Sequence, residues 1–326
     1  MRAQSVRRLA LALVAFAASV SQGHAEDFPS RPITLTVPLA AGGGMDFIAR
    51  TIGQKLSERL GKPVLIENRP GGGTIVATVA EAKAPPDGYQ LLLVPGSTLT
   101  TNATVYKNLP YDPRKDFTPI AVTSEVAFAL VVNPSLPVHS VAELIKYAKE
   151  HPGELIVGTS GIATTTHLAG EIMANETGIK LRYAHYRGSP PAMNDVMAGN
   201  VQMMFADPVT GAELAKAGKV RALAVTSKDH ISIFPDLPPI GDTIPGYEAT
   251  NWHMLLAPAH TPEAIAQKLS TEVRAVTAMP DVHANILKVG LLPRESPPLK
   301  DMPAFLDKEI TTWGELIQKI GLAGTM

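Results

Sequence analysis

Ile33-Thr-Leu-Thr-Val37 followed by Pro38-Leu-Ala-Ala-Gly-Gly-Gly-Met-Asp46 joins a short apolar strand to a glycine turn, and a helix starts directly behind it. That helix places Phe47, Ile48, Ile52, Leu56 and Leu60 on one stripe at helical spacing, with Gly61 as its stop. The unit repeats: Val64 to Glu67 reads as a strand, Gly71-Gly-Gly73 as a turn, and Thr74 to Ala84 as a helix ended by Pro85-Pro86. Leu91 to Val94 is a third strand. Strands alternating with amphipathic helices predict an open, mainly parallel α/β sheet, and ligands meet such sheets at the carboxyl ends of the strands.

A second run of the same kind starts near Ala127. Phe128 to Val132 reads as a strand, and Ser140 with Glu143 three residues on has the spacing of a capping box. Strand Leu155 to Val157 leads through the loop Gly158 to Thr164 into a helix over Thr165 to Thr177, closed by Gly178. Strand Leu181 to His185 leads through Arg187-Gly-Ser-Pro-Pro191 into a helix ending at Gly199, and strands Val201 to Phe205 and Val220 to Val225 complete the set. After a Pro-rich stretch, Trp252 to Ala257 is a strand, and Thr261-Pro262-Glu263 starts a helix with Thr as cap and Pro at its first position. Helices over Val282 to Lys288 and Pro303 to Ile320 follow. This last portion has too few strands for a sheet of its own and is expected to return to the first. The expected division is residues 26–124 with 250–326 as one lobe and 125–249 as the other, joined by crossings near Val122 and over Thr226 to Thr250.

The chain has 326 residues, enough for about two domains. Residues 1–25 are of another kind: Arg2, Arg7 and Arg8 precede an apolar run from Leu9 to Val20 and then Gly23-His24-Ala25. This is the pattern of a secretory signal peptide cleaved after Ala25, which makes the mature chain an exported, periplasmic protein. Removing the three arginines leaves 26 basic against 30 acidic residues, a net charge of about −4. With no basic face and 5% aromatic residues, nucleic acid is not an expected partner. The absence of cysteine excludes thiol catalysis and thiolate metal sites.

Two junctions are candidate sites. Ala40, Ala41, Gly42 and Gly43 link strand to helix, so they either hold an anion on unpaired amides or serve as a tight turn. Gly42 and Gly44 meet Phe47 where a dinucleotide fingerprint needs its third glycine, and no phosphate loop is present. Ser160, Thr164, Thr165, Thr166 and His167 load the other junction with hydroxyls, suited either to carboxylate oxygens or to capping the helix. Asp207 before Pro208 either faces the cleft or caps the next helix, and Asn251, Trp252 and His253 are hinge, core or ligand residues. A hydrolase triad of Ser160, His167 and Asp207 lacks a G-x-S-x-G elbow, as does Gly96-Ser97. Nine scattered histidines without H-x-x-x-H or H-x-H spacing give no metal site. No cofactor is implied.

At these residues the sequence resembles the Bug family, the TctC-like periplasmic receptors of tripartite tricarboxylate transporters. The resemblance is carried by Pro29 to Ile33, Val37 to Asp46, Glu67-Asn-Arg-Pro-Gly71, Pro86 to Tyr89, Leu109 to Pro113, Ser160 to Leu168, Tyr186 to Pro190, Gly218 to Ala224 and Phe234 to Pro238. It implies a type II periplasmic-binding-protein fold, the Venus flytrap, with two α/β lobes closing on a ligand. It also implies a monomeric, non-enzymatic receptor that passes a small organic carboxylate to membrane permease subunits. The family's pocket positions fall on Ala40 to Gly43, Ser160, Thr164 to Thr166 and Asp207, with Ser97 and Thr98 as walls. His253 stands where Gly is usual in the family, and an imidazole reaching the cleft would favour a dicarboxylate or an aromatic, terephthalate-like carboxylate. A sensing role with a signalling partner uses the same pocket, and the sequence does not separate the two.

Overall fold

Two β-sheets, each flanked by helices, make up the fold in a computed structural model that describes residues 28–326. The expected signal peptide lies outside the described residues. Strand β1 (Ile33–Val37) leads into helix α1 (Gly44–Leu60), which buries Ile48, Ile52 and Leu56 and stops at Gly61, whose φ of 67° only glycine adopts freely. The edge strand β2 (Val64–Asn68) is followed by α2 (Ile75–Ala82) and β3 (Gln90–Pro95), and β3 runs straight into two short helices, α3 (Gly96–Leu99) and α4 (Thr101–Val105). Next come β4 (Phe117–Ala127), β5 (Ala129–Val132) and α5 (Val141–Glu150). They are followed by β6 (Ile156–Thr159), α6 (Thr165–Thr177), β7 (Arg182–His185) and α7 (Ser189–Ala198). Strand β8 (Met203–Ala206), helix α8 (Pro208–Lys216) and strand β9 (Arg221–Val225) close the second run. Last are β10 (Thr250–Pro258), α9 (Glu263–Thr277), α10 (Pro280–Lys288), β11 (Leu292–Pro293) and α11 (Met302–Lys319).

The first sheet has the order β11-β4-β10-β3-β1-β2 and the second β7-β6-β8-β5-β9. In the first, β1 is parallel to both β2 and β3, while β10 lies antiparallel between β3 and β4. Its core is Leu92, Val94, Val122, Trp252, Met254 and Leu256, covered by Met302 and Leu306 of α11. The second sheet has its own core, with Val131, Met204 and Ala206 packed on Met193 and Val196 of α7. The chain passes between the sheets at Phe128, and Thr226 ties this crossing to the other one. Thr226 donates its amide to Phe128 O, accepts the Phe128 amide on Oγ1, and accepts the Ala249 amide on its carbonyl, each at 2.9 Å.

Three local expectations are corrected. The eleven-residue β4 has no counterpart in the sequence reading, because Pro119, Thr123, Ser124 and Glu125 interrupt its apolar pattern. It forms because β10 supplies a partner along its whole length, and the pairing slips between Leu255 and Leu256, where Pro119 lacks an amide to donate. The α9 cap is Pro262, whose carbonyl accepts from Ile265 and Ala266, while the Thr261 hydroxyl turns back to Pro258 O at 2.8 Å. Ser140 does cap α5, accepting from the Glu143 amide at 3.1 Å, while Glu143 accepts from the His139 amide rather than from Ser140.

Glu81 of α2 is buried with Oε1 unbonded, and burial pushes its carboxyl up to about 8 against the weaker pull of Arg69. The unfolded chain ionises this group near the ordinary 4.5. The stability that the neutral carboxyl contributes is therefore complete below that value and lost as pH rises towards 8, at about 1.4 kcal/mol per pH unit. Glu81→Gln should melt clearly above wild type at pH 8, with the gap shrinking at pH 5. Thermal denaturation at the two pH values checks this, and an equal gap at both would contradict it.

Candidate functional site

Four helices turn their N-termini towards one small cavity between the sheets: α1 at Gly44, α6 at Thr165, α7 at Ser189 and α8 behind its cap Asp207. Each N-terminus presents amides that the helix itself cannot satisfy and the positive end of its dipole. The strand-to-helix turns bring them together, because the carboxyl ends of β1, β6 and β8 and the loop after β7 all meet here. The space left for the centres of water molecules is about 50 Å³, room for several waters or a slim organic molecule.

The first turn is held rigidly from behind. Asp46 Oδ2 accepts from the Gly42 amide and from Arg50 Nε, each at 3.0 Å. Arg50 Nη2 donates to Asn68 Oδ1 at 3.2 Å, and Asn68 Nδ2 donates to Leu39 O at 3.1 Å. Burial pushes the Asp46 carboxyl up, but hydrogen bonds from Arg50 and the Gly42 amide and the Arg50 charge outweigh it and hold it below the usual carboxylate range. From the opposite side Arg187 O accepts the Ala40 amide at 2.9 Å.

Asp207 takes both of the roles open to it. Its side chain caps α8, accepting from Thr210 N at 3.1 Å, and Oδ1 also accepts from the Gly44 amide at 3.2 Å. A carboxylate carried by the second sheet's elements thus sits on the N-terminus of the first helix.

The hydroxyl-rich loop is largely self-satisfied. Ser160 N donates to Thr166 Oγ1 at 2.9 Å, Ser160 Oγ reaches both Thr164 and Thr166, and Thr164 Oγ1 donates to Gly161 O at 2.7 Å. None of these hydroxyls caps α6. Thr165 Oγ1 lines the cavity and makes no hydrogen bond among the described residues. His167 points away from Ser160: its Nδ1 accepts the Ala163 amide at 3.2 Å and its Nε2 lies 3.4 Å from Glu171. Among the described residues Ser160 and His167 share no hydrogen bond.

His253 does reach the cavity. It is 4% exposed, and its Nδ1 shares a 2.9 Å hydrogen bond with Ser124 Oγ on the neighbouring strand. Burial drives its pKa down to about 4, so the ring is neutral at physiological pH, and Nε2 makes no hydrogen bond among the described residues. Asn251 lines the cavity beside it, whereas Trp252 is core, its Nε1 donating to Glu309 at 2.7 Å.

Of the candidates from sequence, Ala40, Gly43, Ser97, Ser160, Thr164, Thr165, Thr166, Asp207 and His253 line the cavity. Three do not. Ala41 and Gly42 face solvent, because the Asp46 clamp turns the middle of the loop outwards. Thr98 is buried in α3, its hydroxyl spent on Thr74 Oγ1 at 2.8 Å and its carbonyl on the Tyr111 hydroxyl. Ser189, Val126 and Phe128 were missed. Ser189 had a signal, since it stands at a strand-to-helix junction like the others; Val126 enters because β4 is a strand, and Phe128 lies at the crossing that follows it.

The comparisons decide the family. The model described as tripartite tricarboxylate transporter family receptor matches residues 48–322. Protein BugT of Bordetella pertussis is 31% identical over 313 residues, covering 95% of each chain. The chain belongs to this receptor family. Among solved structures, R. palustris Rpa4515 with adipate superposes with a TM-score of 0.87 at 36% identity, covering 91% of this chain and 99% of that one. MatC from Rhodopseudomonas palustris with bound malate gives 0.84 at 28% identity, covering 89% and 100%. The receptor is therefore a solute-binding protein with the two-lobe periplasmic-binding fold, and it is not an enzyme. Family receptors are periplasmic.

Because burial favours the neutral ring, the His253 imidazole nitrogen shifts in a 15N spectrum should not change between pH 8 and pH 5.5. A midpoint near 6.5 would contradict the buried, neutral assignment.

Proposed function

We propose that the receptor captures a small organic carboxylate in the cavity between its sheets and delivers it to the membrane permease subunits of a tripartite tricarboxylate-type transporter. The observation that carries this reading is the convergence of helix N-termini and buried hydroxyls on a cavity whose described lining holds no lysine or arginine. Such a site stabilises an anion through fixed dipoles and hydrogen bonds rather than through a counter-ion. That adipate and malate are found with relatives supports a carboxylate. In this reading Ala40, Gly43, Ser97, Ser160, Thr164, Thr165, Thr166, Asp207 and His253 surround the ligand. Residues 26–124 with 250–326 and residues 125–249 are the two lobes of a monomer, exported after cleavage behind Ala25. Since ligand touching both lobes stabilises the closed form, capture and closure are one equilibrium.

A thermal-shift screen against mono-, di- and tricarboxylates, aliphatic and aromatic, tests the reading on protein refolded to strip retained ligand. A ligand at 100 times its Kd adds about 2.7 kcal/mol, a rise of roughly 4 °C for a chain of this length. A Cβ at Gly43 would lie 3.7 Å from Pro190 and 3.8 Å from Asp207, so Gly43→Ala fits, whereas the branches of Val enter the cavity. Gly43→Val should keep its fold and lose the shift. No shift with any carboxylate, or an undiminished one in Gly43→Val, would sink the assignment.

A further inference from the structure

Strand alternation puts Trp252 and Met254 of β10 into the core and Asn251 and His253 on the other face, where both line the cavity. On the neighbouring β4, Val126 stands across from Asn251 and Ser124 across from His253. Asn251 is 6% and His253 4% exposed, and each side chain is tied at one edge and open at the other. Asn251 Oδ1 accepts the Trp252 amide at 2.9 Å, which fixes the orientation of the side-chain amide. Its Nδ2 keeps two hydrogens and has no acceptor among the described residues.

Ser124 decides which nitrogen of His253 carries the hydrogen. Its hydroxyl is fully buried, and among the described residues it has one partner, His253 Nδ1 at 2.9 Å. A ring protonated on Nδ1 would donate to Ser124 Oγ and leave the hydroxyl hydrogen without an acceptor, in a place water does not reach. The hydroxyl therefore donates to Nδ1, and the ring, kept neutral by burial, carries its hydrogen on Nε2. That nitrogen has no partner among the described residues, yet it is not sealed in the core, and the space it opens on is the cavity.

The β10 wall thus presents two neutral donors on one face, while its acceptors, Asn251 Oδ1 and His253 Nδ1, are both spent. Elsewhere on the lining the Gly43 amide and the Thr165 and Ser189 hydroxyls also make no hydrogen bond among the described residues. A carboxylate resting on those groups leaves the donors of β10 to the ligand's other end. An oxygen there satisfies them, whether it belongs to a carbonyl or to a second carboxylate. A methyl end strips both donors of water and gives nothing back, and an ammonium end sets hydrogens against hydrogens.

We propose that Asn251 and His253 form an acceptor-binding subsite that selects ligands carrying, beyond their first carboxylate, an oxygen acceptor at the far end. This rests on the carboxylate reading above and adds the chemistry of the other end: a keto acid, an aldehyde acid or a diacid, in preference to a simple fatty or amino acid.

The tautomer and the far-end preference are tested separately. In 15N-labelled protein without ligand, long-range 1H–15N correlation should find His253 protonated on Nε2 and bare on Nδ1, and a hydrogen on Nδ1 overturns the proposal. Isothermal titration calorimetry at pH 7.5 then compares hexanoate, 5-oxohexanoate, adipate and 6-aminohexanoate, and an aromatic set of benzoate, 4-formylbenzoate, terephthalate and 4-(aminomethyl)benzoate. In whichever set fits, the members with a far-end oxygen acceptor should bind at least tenfold more tightly than the plain monocarboxylate, and the ammonium member weakest. In His253→Phe, which keeps a ring but not the Nε2 hydrogen, that ratio should fall to threefold or less. In Asn251→Asp, which keeps the acceptor for Trp252, the preference should turn towards the ammonium member. A melting curve establishes that each variant folds, and where neither does, the wild-type ratio and the tautomer decide. Acceptor-bearing ligands no tighter than the plain ones, or an unchanged ratio in folded His253→Phe, overturns the subsite and leaves a carboxylate receptor standing. No binding by any of the eight overturns the carboxylate reading together with it.

Discussion

The amide of Gly44 opens a seventeen-residue helix at the wall of the cavity, where it is buried and has to find an acceptor. The acceptor is a carboxylate from the other half of the molecule, 163 residues further along the chain. Asp207 is itself the cap of α8, and its bond from the Thr210 amide holds the carboxylate in place for Gly44. The same carboxylate thus stabilises two helix starts, joins the two sheets' elements and sets the charge of the space between them. Two further amides of the glycine turn, those of Gly42 and Ala40, go to the Asp46 carboxylate and to Arg187 O. Local capping, domain contact and ligand chemistry therefore rest on a single side chain.

Dipoles and hydroxyls in place of a lysine or arginine suit a protein that must let its cargo go. A buried ion pair costs several kcal/mol of desolvation on each partner and has to be re-solvated when the site opens. Helix termini, by contrast, are fixed and already desolvated, so their contribution to binding carries little reorganisation. His253 follows the same logic: packed between β3 and β4 and bonded to Ser124, it offers a hydrogen bond without bringing a charge.

Much of this was legible in the sequence because strand-to-helix junctions announce themselves. The turns at Ala40, Ser160 and Arg187 each follow a strand and precede a glycine-stopped helix, and all three lead residues to the cavity. What was not legible depends on long-range pairing. Strand β4 has too many polar residues to read as a strand until β10 is laid beside it, and with β4 come the cavity residue Val126 and the Ser124 partner of His253. The dual role of Asp207 was hidden for the same reason: its cap is local and readable, but its bond to Gly44 is not. Ala41, Gly42 and Thr98 misled because a glycine or a threonine at a promising junction carries no sign of which way it faces.

Glycines that look like ligand loops have a second use here. Gly73, at φ 60°, lies so close to the other sheet's loop that an added Cβ would stand 2.4 Å from Ile162 O, and a Cβ on Gly188 would stand 3.0 Å from Ala40 N. Both positions are on the seam between the sheets' loops, and both need a backbone with nothing attached. Gly188 carries the turn from β7 into α7, next to the carbonyl of Arg187 that accepts the Ala40 amide. A side chain there would hold the two turns apart and break that bond. The triple glycine after Pro70, a turn in the sequence reading, faces Ile162 rather than the main cavity, and its service is close approach. The geometry of the seam, as much as the chemistry of the pocket, thus accounts for where this chain places its glycines.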